Sequence, residues 1–158
     1  MYTYSIFSVK SEIAVHYFYK TSVLFRFFKE FKECPRLTYL QLQYNYVIEP
    51  LQLSLVAAYL RSLTDDVNIE KKEKYIQIFW EGKSLTIYED GHHIELTCSS
   101  IQEAEEFFFP ILRNSPGFYF VINNRLNDYG WLSVKNNKLI NNQIFFPTHN
   151  YIFYLLQG

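Results

Sequence analysis

The chain has 158 residues and a formal net charge of −1, with 49% hydrophobic and 20% charged residues. That length suits one domain whose core needs neither metal nor disulfide, and its scattered, nearly balanced charge argues against nucleic acid as a direct partner. No run of about 18 apolar residues predicts a transmembrane helix. The N-terminus MYTYSIFSVK lacks the basic and apolar regions of a signal peptide. Two cysteines then read as reduced thiols in the cytoplasm. Aromatic residues reach 20%, more rings than a core readily absorbs, and Tyr and Trp suit interfaces.

Residues 2–9, YTYSIFSV, predict a strand, being β-branched and aromatic without Gly or Pro. A helical pattern follows, with Ile13 and Tyr17 on one line and Ala14 and Phe18 on the next. Thr21-Ser22 reads as a new N-cap, after which Val23, Phe27 and Phe31 flank Leu24 and Phe28. Cys34-Pro35 ends that helix. Residues 37–48 alternate Leu40, Leu42, Tyr44 and Tyr46 with Gln41, Gln43 and Asn45, which favours a strand over a short helix. Glu49-Pro50 opens a further helix with Val56, Tyr59, Leu60 and Leu63 on its apolar face. The charged run Glu70 to Lys74 reads as a solvated connection.

Three strands around Ile76–Trp80, Leu85–Ile87 and Ile94–Cys98 form a meander, with turns at Glu81-Gly82-Lys83 and Asp90-Gly91. Ser100 and Glu103 make a capping box. The helix they start runs towards Asn114, kinked or restarted at Pro110. FYFVI at 118–122 is a last buried strand. The predicted order is β-α-α-β-α-β-β-β-α-β. This is an α+β fold, a single domain with one mixed, mainly antiparallel sheet and helices packed on it.

Candidate chemistry is sparse. His92 and His93 are adjacent in a strand, so they point to opposite faces and make a poor metal pair. Their place after a turn suggests solvated residues. Cys98 continues the apolar side of a strand and reads as a small buried hydrophobe, not a nucleophile. His16 reads as a surface or satisfied histidine, and Glu103, Glu105 and Glu106 as acids complementing a helix start. No phosphate-loop, dinucleotide, nucleophile-elbow or zinc-protease motif occurs. No catalytic residue, metal ligand or cofactor is assigned. The N-terminal helix remains: Ile13, Tyr17 and neighbouring Lys20 surround an aromatic line suited to a second neighbour besides the sheet.

Tyr2-Thr3-Tyr4, His16-Tyr17-Phe18, Ser22-Val23-Leu24-Phe25 and Tyr129-Gly130-Trp131-Leu132, in that order and spacing, resemble the sporulation inhibitor of replication (SirA) family. The resemblance runs from residue 2 to about 134. It implies a small, monomeric, non-enzymatic cytoplasmic protein that binds the N-terminal domain of the replication initiator DnaA, with no direct nucleic-acid or membrane contact. It implies partner contacts at Ile13 and Tyr17, with Gln43 and Tyr46 as further positions. Residue 13 is Ile where the family pattern has an aromatic. Residues 1–134 then form the family domain, and 135–158 stay unassigned. The alternatives from the residues alone are a small thiol or histidine enzyme using Cys98, His92 or His93, and a binding module with another partner.

Overall fold

A computed structural model describes residues 1–51, 58, 66–114 and 117–132. The helix predicted after Glu49-Pro50 and the C-terminal segment from 135 lie outside the described residues. Described elements are β1 (Tyr2–Val9), α1 (Ser11–Tyr17), α2 (Thr21–Glu33), α3 (Thr38–Val47), β2 (Asn68–Lys71), β3 (Tyr75–Trp80), β4 (Lys83–Asp90), β5 (His93–Cys98), α4 (Ile101–Phe107), α5 (Phe109–Asn114), β6 (Phe118–Asn123) and β7 (Asp128–Trp131).

The strands form one seven-stranded sheet in the order β2-β3-β4-β5-β1-β6-β7. Every pairing among the described strands is antiparallel, so the sheet is not mixed. The reason lies in the connections: hairpins join β2 through β5 and β6 to β7, and β1 slots between β5 and β6 with both neighbours running against it.

β1 and β6 sit in the sheet's interior and are covered on both faces, so their residues are buried almost without interruption. Strand parity splits their side chains. Tyr4, Ile6, Tyr119 and Val121 join the α4–α5 side with Phe108, Phe109 and Leu112. Phe7, Val9, Phe118, Phe120 and Ile122 join the α1–α3 side with Leu24, Phe28 and Tyr44. The aromatic content goes largely into this second layer. Phe28 stacks on Phe7 at 4.0 Å, Phe31 on Tyr44 at 3.9 Å and Phe25 on Tyr129 at 4.2 Å between ring centroids.

Several expectations change. Residues 38–47 form helix α3, not a strand: Leu40, Tyr44 and Ile48 are buried at helical spacing, while Leu42 and Tyr46 of the apparent alternation face outward. Part of the charged run is strand β2, an exposed edge on which Ile69 packs against the core. Charged residues on an edge strand discourage pairing with other chains. β7, absent from the predicted order, forms the opposite edge among the described strands. Lys20, not Thr21, occupies the N-cap position of α2 and makes no side-chain capping bond, while Thr21 is already helical and buried.

The turns behave as read. Glu81 and Gly82 at φ 44 and 75 link β3 to β4, and Gly91 at φ 65 opens the turn into β5. Ser100 Oγ accepts from the Glu103 N–H at 3.4 Å, while the Glu103 carboxylate accepts from the Ser99 N–H at 2.8 Å. Pro110 stands in the second position of α5, after the break at Phe108.

Candidate functional site

The start of α1 and the end of α3 are clamped together by backbone. The Lys10 N–H donates to the Val47 carbonyl at 2.9 Å, and the Glu49 N–H to the Ser8 carbonyl at 2.8 Å. Val9 and Ile48 form an antiparallel bridge at the same point. These bonds hold α1 beside α3, with α2 completing the layer. Between the three helices lies an open groove of about 340 Å³, lined by Ile13, Tyr17, Val23, Leu24, Phe27, Gln43, Tyr46 and Val47.

Four of the five residues singled out as partner contacts line this groove. Ile13 is its buried floor, not an exposed anchor, because α1 packs that side against the α2 layer. Tyr17 is half-buried, and Gln43 and Tyr46 are exposed on the α3 wall. Lys20 stands at the rim with its ammonium 5.8 Å from the Tyr17 ring centroid. Lys10 holds the same relation to Tyr46 at 5.6 Å. The groove thus has an apolar floor, two aromatic walls and two cationic rim positions. Val23, Leu24, Phe27 and Val47 also line the groove and are not among the expected contacts; the Val23–Phe27 line beside the buried Leu24–Phe28 line is the signal for them.

A second constellation was not foreseen. His93 is 5% exposed, contrary to the solvated reading, because strand parity turns it onto the α1–α3 side, where it stacks on Phe7 at 4.7 Å. The Tyr44 hydroxyl lies 3.1 Å from its Nδ1 and the Glu95 carboxylate 3.0 Å from its Nε2. Glu95 also accepts from the Ser5 hydroxyl at 2.7 Å, the Lys32 ammonium at 2.9 Å and the Asn124 amide at 3.2 Å. Burial pushes the Glu95 carboxyl up, but hydrogen bonds from His93 and Lys32, the Lys32 charge and the Ser5 hydroxyl outweigh it and hold the carboxyl below its ordinary value. Burial, with the charges of Asp90 and Glu95, raises the Tyr44 phenol.

Asp90, His93 and Glu95 bring their ligand atoms within 4.8 Å of one another. The same Glu95 oxygen already holds the Lys32 ammonium, so the cation of this cluster is a side chain. His92, the other residue of the pair, is exposed at the turn. Cys98 lies among apolar side chains, and burial, with the charge of Glu103, pushes its thiol up to about 11. At neutral pH it is protonated and a poor nucleophile.

Fold and surface define a class: a small α+β protein with helices on both faces of one antiparallel sheet and an open apolar groove among the helices that follow the first strand. The particular family follows from comparison. The profile described as "Sporulation inhibitor of replication protein SirA" matches residues 2–136. The chain is also 25% identical over 138 residues to the protein of that name from Bacillus subtilis (strain 168), covering 82% of this chain and 92% of the relative. The chain belongs to the SirA family. No described helix is long and apolar enough to cross a membrane.

Proposed function

We propose that this protein inhibits initiation of chromosome replication during sporulation by binding the N-terminal domain of the initiator DnaA through the α1–α3 groove. The observation that carries the reading is the convergence of Ile13, Tyr17, Gln43 and Tyr46, from two separate helices, on one apolar groove. An exposed Tyr46 and a half-buried Tyr17 over an apolar floor suit an anchor side chain from a partner, and the two lysines suit acidic residues around it. The interface would be of small to standard size, roughly 1,000–1,600 Å² in total. Inhibition is then by occupancy, not catalysis, and acts on the initiator without covering DNA, in keeping with the net charge of −1. The burial of Cys98 weighs against the thiol-enzyme alternative.

The test is a titration against full-length DnaA and against DnaA lacking its N-terminal domain. Saturable one-to-one binding to the first and none to the second supports the reading. Equal binding to both overturns the site of action, and inhibition by trace amounts with turnover overturns the occupancy mechanism.

A further inference from the structure

We propose that Trp131, on edge strand β7, is a positioning residue for the partner surface: its indole holds the C-terminal end of α1 and so fixes where Tyr17 stands in the groove. The consequence for binding rests on the function proposed above; the brace itself does not. α1 is seven residues long, and a helix that short is marginal without outside support. Its first half is secured twice, by the backbone clamp at Lys10 and by the buried Ile13 and Ala14. Its second half has neither support. Val15 and His16 are exposed, Tyr17 and Phe18 are half-buried, and Tyr19 and Lys20 beyond them are exposed.

Trp131 supplies what is missing. Its indole N–H donates to the Phe18 carbonyl at 2.9 Å, one residue beyond Tyr17 of the groove. The Phe18 and Trp131 rings also stack, 5.9 Å apart between centroids and 12° from parallel. The indole is itself held firmly, being 3% exposed and set edge-on to Phe120 at 5.2 Å.

Side chains two apart in a strand share a face, so Tyr129 points the same way as Trp131 and stacks on Phe25 of α2 at 4.2 Å. One edge strand therefore braces α1 and α2 on either side of the junction at Phe18 and Tyr19. Tyr17 of the groove lining and Lys20 of its rim flank that junction, and the Lys20 ammonium sits over the Tyr17 ring. Without the brace, the end of α1 samples several positions. A partner must then order Tyr17 as it binds, and that ordering lowers affinity.

The experiment replaces Trp131 in the full chain by 3-benzothienylalanine, which keeps both fused rings and puts sulfur in place of the N–H, and separately by Phe. Ile87→Val, in the core on the other face of the sheet, controls for a general loss of stability. Hydrogen exchange of the free protein should quicken several-fold at the amides from Tyr17 to Lys20 in both Trp131 variants and not in Ile87→Val. Unchanged exchange there overturns the proposal. Affinity for the DnaA N-terminal domain should fall by about two- to tenfold, the range of one lost hydrogen bond. On a Tyr17→Ala background the same replacement should cost no further affinity, since its effect passes through Tyr17. An equal loss with and without Tyr17 marks a merely structural role and overturns the proposal. If neither wild type nor variant binds DnaA while exchange still quickens, the brace stands and the function proposed above fails. Should Trp131→Phe misfold, the benzothienylalanine protein, which loses a single donor, gives the deciding result.

Discussion

The Tyr44 hydroxyl lies 3.1 Å from Nδ1 of His93, joining the outermost helix of the groove to the sheet beneath it. The other imidazole nitrogen meets Glu95, which in turn holds Lys32 of α2 and Ser5 of β1. One chain of polar contacts therefore sets α2 and α3 on the sheet, and with them the walls of the groove.

Breaking the Tyr44–His93 link of that chain should be costly because both residues are buried. His93→Phe keeps the ring stacked near Phe7 but leaves the Tyr44 hydroxyl without this partner. An unsatisfied buried hydroxyl costs about 1–3 kcal/mol, so urea unfolding should show a loss in that range. Tyr44→Phe removes the hydroxyl itself and should cost less, about 1 kcal/mol. The double variant should cost less than the sum of the two, since they share one contact.

Glu95 makes stability depend on acid pH with a defined sign. Its folded carboxyl lies below the ordinary value of 4.5, so its contribution is fully present above that pH and is lost as pH falls through the folded value. Lys32→Met removes one hydrogen bond and the charge that lower the carboxyl, leaving only the His93 and Ser5 hydrogen bonds to oppose burial. The midpoint of acid unfolding, followed by circular dichroism, should then move to higher pH.

The two thiols should differ sharply. Cys34 is exposed and Cys98 is buried with its thiol pushed up to about 11. A thiol-disulfide reagent should modify one equivalent rapidly in the native protein and the second only on unfolding. Rapid reaction of both would revive the thiol-enzyme reading.

Local rules in the sequence reach the meander, the first strand, α2 and the capping box, because each is written in contiguous residues. Helix α3 misleads because Leu42 and Tyr46 are apolar yet exposed. They complete a false alternation with the buried Leu40 and Tyr44. The edge strands β2 and β7 are short and depend on a neighbour for half their hydrogen bonds, so little in their own residues marks them. The polar chain is long-range: Tyr44 finds His93 and Ser5 finds Glu95 only after the sheet assembles. Ser5 offers a faint signal, since it shares a face with Phe7 and Val9 in a strand otherwise rich in apolar side chains and must meet a polar partner there. The groove was half legible. The resemblance named positions on α1 and α3, but their juxtaposition depends on the Lys10–Val47 clamp, which side-chain patterning does not encode.

Tyr46 tests most directly whether the groove is the partner-binding surface. This residue is 66% exposed, so Tyr46→Ala should change the unfolding free energy by no more than about 0.5 kcal/mol. Calorimetric titration against the N-terminal domain of DnaA should nonetheless show a loss of about 2 kcal/mol, close to thirtyfold in Kd. Tyr39→Ala supplies the control, an exposed tyrosine on the same helix outside the groove lining. Wild-type affinity in Tyr46→Ala, or an equal loss in Tyr39→Ala, would contradict the account.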